Sequence, residues 1–254
     1  MNEKLSRPQF NQMDTTEKQT LMESLAARYN MTFLDLHTFD RWGQSSTTGI
    51  FEKDGRKFVF VPGDTVTLGW EQFAVGLNQE SREELEYLFR EWEMEPQNPE
   101  EMIRESMAPV RQAVIGPMLV GRELEELCWE PVKMDDPRLT AHPDWLKEFR
   151  DFAWSDSSSL TLHQSARIER TEDGFQTWIY HCTDYDALLA GLEKQGLSLP
   201  TADEWAYLCG GGCRTLFPWG DGLDYSMRLR WFEDMDEDEN RPYDMEEPNF
   251  FGLS

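Results

Sequence analysis

The first regular pattern along the chain is a helical spacing of apolar residues. Leu21, Leu25 and Tyr29 recur every four positions, and this spacing behind a run of capping residues predicts an amphipathic helix over about 16–29. The polar stretch that precedes it, residues 1–13, has no such periodicity. We therefore expect residues 1–13 to be mobile.

Further along, the period of the apolar positions changes to two, which is typical of strands with one buried face. Residues 49–53 and 57–61 show this alternation on either side of Asp54 and Gly55. An Asp-Gly pair supplies the positive φ angles that a tight hairpin turn requires, so a β-hairpin is predicted here. The same reasoning predicts a second hairpin within residues 164–182.

Polar caps ahead of apolar stripes predict further helices. One begins with a capping box at Ser81, and another covers about 141–155. A third begins at Thr201, where the side chain of Glu204 is spaced to reach back to the amide of the cap. Capping and core packing explain Glu204 and Trp205 without a catalytic role, so we expect Trp205 to pack in the core.

The most specific patterns are short motifs, most of them in the last quarter of the chain. They read LPTxxEW at 199–205, FPWGD at 217–221 and PNxxGL at 248–253, with FVFVPG upstream at 58–63. Their order, spacing and rare residues resemble the formylglycine-generating enzyme family, the sulfatase-modifying factors. The resemblance covers roughly residues 48–254.

This resemblance implies an α+β fold of the C-type-lectin-like kind, an irregular domain with short twisted sheets and many tryptophans. Within it, we predict a helical insertion at about 76–115 that the family pattern does not contain. Residues 1–47 match no part of the family and are predicted to form an N-terminal helical extension. The predicted formylglycine-generating-enzyme-like domain is therefore 48–254.

The resemblance also implies an activity. Active members oxidise a cysteine of a sulfatase peptide to formylglycine, using oxygen and copper held by a pair of cysteines. In the family a GNVWEW-like segment and these thiols follow the PNxxGL motif, and this chain stops at Ser254 before them. We therefore predict a catalytically silent family member that acts as a binding or interaction module. The alternative is a fragment of a copper-dependent formylglycine-generating-type oxidase whose catalytic cysteines lie beyond residue 254.

Two groups of residues are candidate metal ligands. Cys209 and Cys213 form a C-x3-C pair at a helix end, although a closed thiol site needs about four ligands and buried thiols are the alternative. Asp234, Asp236 and Asp238 alternate within an acidic segment, as the first ligands of an EF-hand do, but the remaining EF-hand positions do not match. Calcium is thus the candidate cofactor, and calcium-dependent ligand binding is a second alternative function. A solvated acidic loop is the simpler interpretation of this segment.

The charge of the chain restricts its partners. Lys and Arg number 24 and Asp and Glu 49, for a net charge of -25, which repels nucleic acid and anionic membranes. The amino terminus has no apolar signal-peptide core and no segment reads as a membrane helix, so we expect a cytoplasmic protein. Residues 223–254 hold ten acids against three bases, interleaved with rings such as Trp231, Phe250 and Phe251. They predict an acidic, aromatic face for a basic protein or peptide.

Overall fold

A computed structural model gives the fold of the chain. It describes residues 5–69, 78–93, 105, 107–125, 127–211, 213–215, 217–220, 222, 227, 244–245 and 247–253. Contacts between residues divide the chain into two compact units. Unit 1 comprises Met1–Leu124 and Pro200–Ser254, and unit 2 comprises Glu125–Leu199.

The chain is an α+β protein, as predicted, with helices and antiparallel sheets in similar amounts. The helices are α1 (Arg7–Gln12), α2 (Thr15–Tyr29), α3 (Gln79–Glu91), α4 (Pro137–Thr140), α5 (Pro143–Ala153), α6 (Tyr185–Lys194) and α7 (Ala202–Gly210). The strands are β1 (Thr32–Arg41), β2 (Gln44–Lys53), β3 (Arg56–Val61), β4 (Asp64–Leu68), β5 (Arg111–Ile115), β6 (Met118–Gly121), β7 (Trp129–Val132), β8 (Ser159–Leu162), β9 (Ala166–Thr171) and β10 (Gly174–Tyr180). In the described part of the chain, no helix is long and apolar enough to cross a membrane.

Among the described residues of unit 1, the strands form two antiparallel sheets. The larger has the order β1-β2-β3-β6, and the smaller pairs β4 with β5. The predicted hairpin is confirmed, because β2 and β3 are joined at Asp54 and Gly55, whose φ angles are 51° and 77°. A second two-residue turn, Trp42 and Gly43, joins β1 to β2 with φ angles of 48° and 73°.

The predicted division of the chain can be compared with these elements. Residues 1–47 contain strand β1 besides the helices α1 and α2, and β1 pairs with β2 from end to end. The predicted boundary between residues 47 and 48 therefore falls inside one strand of one sheet. The predicted insertion at 76–115 includes helix α3 and strand β5 among its described residues.

The predicted helix at 16–29 is confirmed as α2, but the expectation of a mobile start is wrong for residues 5–13. Asp14 caps α2, and its side chain and that of Glu17 form a reciprocal capping box. Before this cap, α1 buries Phe10 completely, with its ring 5.1 Å from that of Phe60. The amide of Arg7 donates to the carbonyl of Gly63. These long-range contacts fix a segment that has no periodicity of its own.

Helix α3 is present where a helix was predicted, but its cap differs. The side chain of Asn78 accepts a hydrogen bond of 2.8 Å from the amide of Ser81, so the cap lies three residues before the predicted one. Asn is as good a cap as Ser. Ser81 is buried inside the first turn.

The main core of unit 1 joins the family-like motifs. It contains Val59 and Val61 of the FVFVPG strand, Tyr207 and Leu208 of α7, and the Phe pair of the PNxxGL segment. The remaining members are Phe39, Ile50, Val66, Leu68, Ala113 and Ile115. Packing therefore explains the FVFVPG strand and the two Phe residues within PNxxGL, whereas Tyr207 and Leu208 follow the LPTxxEW motif and are not part of it.

Unit 2 is a four-stranded antiparallel sheet with helices against one face. Its strand order is β7-β10-β9-β8, and the predicted hairpin at 164–182 is confirmed as β9 and β10. The helix predicted at 141–155 is confirmed as α5. The core of unit 2 consists of Leu139, Phe149, Phe152, Ala166, Ile168 and Ile179.

Substitution of Gly211, the residue at which α7 ends, tests how the PNxxGL segment is packed. Gly211 has a φ of 57°, and a methyl group on its Cα would overlap the ring of Phe250. We expect Gly211→Ala to lower the free energy of unfolding by about 2–4 kcal/mol, through left-handed backbone strain plus overpacking. The matched control Gly210→Ala meets no atom within 4 Å and should change stability by less than about 1 kcal/mol. Equal stability of the two variants in urea unfolding would contradict this packing.

Lys18 provides a pH-dependent test of how α2 is docked. Its side chain is buried, with Nζ 3.0 Å from the carbonyl oxygen of Thr47 and 4.6 Å from the ring centre of Phe10. Burial lowers the pKa of Lys18 below 10.5, so above the folded-state pKa the unfolded chain binds more protons than the folded chain. The free energy of unfolding of the wild type, minus that of Lys18→Met, should therefore rise as the pH increases from neutral toward 10.5. A difference that stays constant or falls would show that the amine is solvated.

Candidate functional site

The LPTxxEW motif forms the start of α7. The hydroxyl of Thr201 accepts from the amide of Glu204 at 3.2 Å, and the carboxylate of Glu204 accepts from the amide of Thr201 at 2.8 Å. The predicted capping role of Glu204 is thus confirmed. Trp205 is 49% exposed, so its predicted place in the core is wrong. The buried stripe of α7 runs through Tyr207 and Leu208, and a residue two positions before Tyr207 lies about 200° around the helix.

The PNxxGL motif is a tight turn that Asn249 organises. The side-chain oxygen of Asn249 accepts from the amide of Phe251 at 2.8 Å, and its amide group donates to the carbonyl of Leu208 at 3.2 Å. Phe250 and Phe251 are almost fully buried. The expectation that these two rings belong to a ligand-binding face is therefore wrong; they hold the turn against the end of α7.

Arg7 joins the amino-terminal segment to this same region. Its guanidinium donates to the carbonyl of Gly211 at 3.0 Å and to the side-chain oxygen of Gln44 at 3.1 Å. The amide group of Gln44 in turn donates to the sulfur of Cys213. A chain of polar contacts thus runs from α1 through strand β2 to the segment that follows α7.

Next to these contacts lies a group of three half-buried rings, Trp42, Phe217 and Trp219, which we call the aromatic cluster. Phe217 and Trp219 stack with centroids 4.8 Å apart and an angle of 4° between their planes. The ring centroids of Trp42 and Trp219 are 5.7 Å apart. Trp42 has a left-handed backbone, which is unusual for a bulky residue. Strain of this kind persists only where surrounding contacts hold it, and it is often found at binding sites.

Trp219 of the aromatic cluster and Arg41, which lies over Trp42, contact the two described ends of the acid-rich segment. At the start, the indole nitrogen of Trp219 donates to the carbonyl of Gly222 at 3.0 Å. At the end, Arg41 forms ion pairs with Asp244 and Glu247, and its guanidinium lies 4.7 Å from the ring centre of Trp42. The sequence between these anchors, residues 223–243, contains seven acids and three bases. The described ends of an acid-rich segment therefore lie beside half-buried aromatic rings.

The candidate thiol ligands occupy different surroundings. Cys209 is exposed on α7, whereas Cys213 is half-buried beneath Gln44. Desolvation raises the pKa of both thiols, and for Cys213 it outweighs the opposing effects of Gln44 and Arg7. Because metal ligation requires the thiolate, a raised pKa weakens both as ligands at neutral pH.

No candidate metal centre is completed within the described ranges. Among those residues, no three His, Cys, Asp or Glu side chains are grouped closely enough to hold an ion. The predicted calcium ligands Asp234, Asp236 and Asp238 lie outside the described residues, as does Trp231. The calcium site and the thiol site both remain predictions.

Sequence reasoning missed Arg7, Arg41, Trp42 and Gln44. The signal that was available is the glycine of the pair Trp42-Gly43, since glycine in second place is typical of a two-residue hairpin turn. A tryptophan in the first place of such a turn is the anomaly that points to the site.

Comparisons with known proteins add no relative to this picture. Matching the chain to protein-family models, to curated proteins and to solved structures gave no match in any of the three. The geometry of the site is therefore the basis for inferring a function.

The turn formed by Trp42 and Gly43 leads to a prediction about stability. Trp42→Asn removes the ring but places Asn-Gly, the preferred pair for this turn, between β1 and β2. The relief of about 1–2 kcal/mol of backbone strain opposes the loss of about 1–2 kcal/mol from the contacts with Trp219 and Arg41. We expect a free energy of unfolding within about 1 kcal/mol of the wild type by urea denaturation. A loss above about 3 kcal/mol would show that the ring is a core residue.

Proposed function

We propose that this chain is a catalytically silent binding module that holds a basic, arginine-bearing peptide segment at the aromatic cluster. The observation that carries the proposal is the anchoring of both ends of the acid-rich segment at these rings. A peptide docking there would meet aromatic faces and carboxylates together. Oppositely charged surfaces speed encounter and select partners.

The contact around Arg41 is an internal example of the proposed recognition. Its guanidinium lies over the ring of Trp42 while carboxylates of Asp244 and Glu247 bind its edge. Arg fits such a place better than Lys, because a planar guanidinium stacks on a ring and still donates in its plane. The proposed partner therefore presents arginine rather than lysine.

The alternative that the family resemblance implies is a fragment of a copper-dependent oxidase whose catalytic cysteines lie beyond residue 254. Cys209 and Cys213 are not those cysteines. Desolvation raises the pKa of both thiols and favours their neutral forms, so a metal site formed by this pair is less favoured than peptide binding.

The proposal is tested by titrating the full chain with a labelled oligo-arginine peptide and following fluorescence anisotropy. We expect binding that weakens with salt, and an oligo-lysine peptide of equal length should bind more weakly. Trp42→Asn should weaken binding of oligo-arginine about 5- to 30-fold, the equivalent of losing about 1–2 kcal/mol of cation–π contact. Trp154→Ala is the matched control, because Trp154 is 93% exposed and lies in unit 2.

Two outcomes would contradict the proposal. The first is equal affinity of the wild type and Trp42→Asn, which would show that the net charge alone attracts the peptide. The second is an equal loss in Trp154→Ala. Repeating the titration with chelator and then with calcium tests the second alternative, in which Asp234, Asp236 and Asp238 hold calcium. That alternative predicts binding that requires calcium.

A further inference from the structure

Two cysteines flank the paired ends of two strands in unit 2, Cys128 just before β7 and Cys182 just after β10. Strands β7 and β10 are paired in antiparallel register, with Trp129 opposite Tyr180. The amide of His181 donates to the carbonyl of Cys128 at 2.8 Å, which continues the register by one residue beyond the strand ends. Cys182 is therefore the diagonal neighbour of Cys128. Alpha carbons in this relation are about 6 Å apart, inside the range that a disulfide spans.

The direction of the two side chains is the second requirement for a bond. In a regular ladder Cys128 would point to the same face as His181, away from Tyr180 and Cys182. Cys128 instead has a φ of 71°, which takes it out of the strand pleat. Desolvation raises the pKa of the Tyr180 phenol, and the nearby Cys128 and Cys182 raise it further. Both thiols are therefore close enough to the same tyrosine side chain to act on it.

We propose that Cys128 and Cys182 form a dithiol that a low-molecular-weight disulfide oxidises to an intrachain disulfide. Cys182 is exposed and Cys128 is half-buried, so Cys182 meets the oxidant first and Cys128 resolves the adduct. The bond closes a loop around α4, α5 and all four strands of the sheet. Loop closure restricts the unfolded ensemble, so oxidation stabilises unit 2.

The exchange proceeds in two balanced steps. The thiolate of Cys182 attacks one sulfur of the low-molecular-weight disulfide, forms a mixed disulfide and releases one small thiolate. The thiolate of Cys128 then attacks the Cys182 sulfur and releases the second small thiolate. The protein loses two electrons and two protons, which reduce the small disulfide to two thiols.

The experiment oxidises the reduced full chain with oxidised glutathione at low protein concentration and maps the products by mass spectrometry. We expect a monomer that has lost two thiols, a crosslinked peptide pair containing Cys128 and Cys182, and a higher unfolding midpoint. In Cys128→Ser, glutathione should remain on Cys182, with a lifetime at least about tenfold longer than in the wild type.

Several results would overturn the inference. One is a wild-type chain that keeps glutathione on Cys182 while Cys128 stays free for alkylation after unfolding. Others are a crosslink that joins Cys182 to Cys209 or Cys213, a crosslink between two chains, and no reaction at either cysteine. Mapping of the wild type decides the question even if Cys128→Ser does not fold. Cys209→Ser is the matched control and should leave the crosslink unchanged.

Discussion

The organisation of unit 1 depends on the contact between Gly211 and Phe250. Gly211 turns the chain out of α7 with a left-handed backbone, and Phe250 packs against the space where a side chain would be. The carbonyl of the same glycine accepts from Arg7, which fixes the amino-terminal segment. A single position therefore joins the first helix, the LPTxxEW helix and the PNxxGL turn, segments that are more than 200 residues apart at the extremes.

This dependence explains which features were predictable. The capping box of Thr201 and the turn at Asp54 and Gly55 involve residues within four positions of one another, so a local pattern is sufficient to specify them. The burial of Phe10 and the exposure of Trp205 are decided by distant segments. Periodicity within a single segment carries no information about such partners.

The candidate site was also only partly predictable, because local sequence patterns do not reveal contacts between distant segments. The excess of acids was visible in the composition, but two of the predicted rings, Phe250 and Phe251, are buried in the core, and Trp42 was not predicted. Phe250 is buried in the core, whereas Trp42, in the turn between β1 and β2, packs against the ring of Trp219. The backbone strain at Trp42 is a sign that this position is held by its surroundings, since an Asn-Gly turn would form the same hairpin without it.

The most direct test of a basic-peptide site at the aromatic cluster is backbone hydrogen exchange with and without a saturating oligo-arginine peptide. If the site lies at these rings, exchange should slow at residues 41–44, 217–222 and 244–247, and should be unchanged across the sheet of unit 2. Slowing spread evenly over the acidic surface, or confined to another region such as α3, would contradict the account.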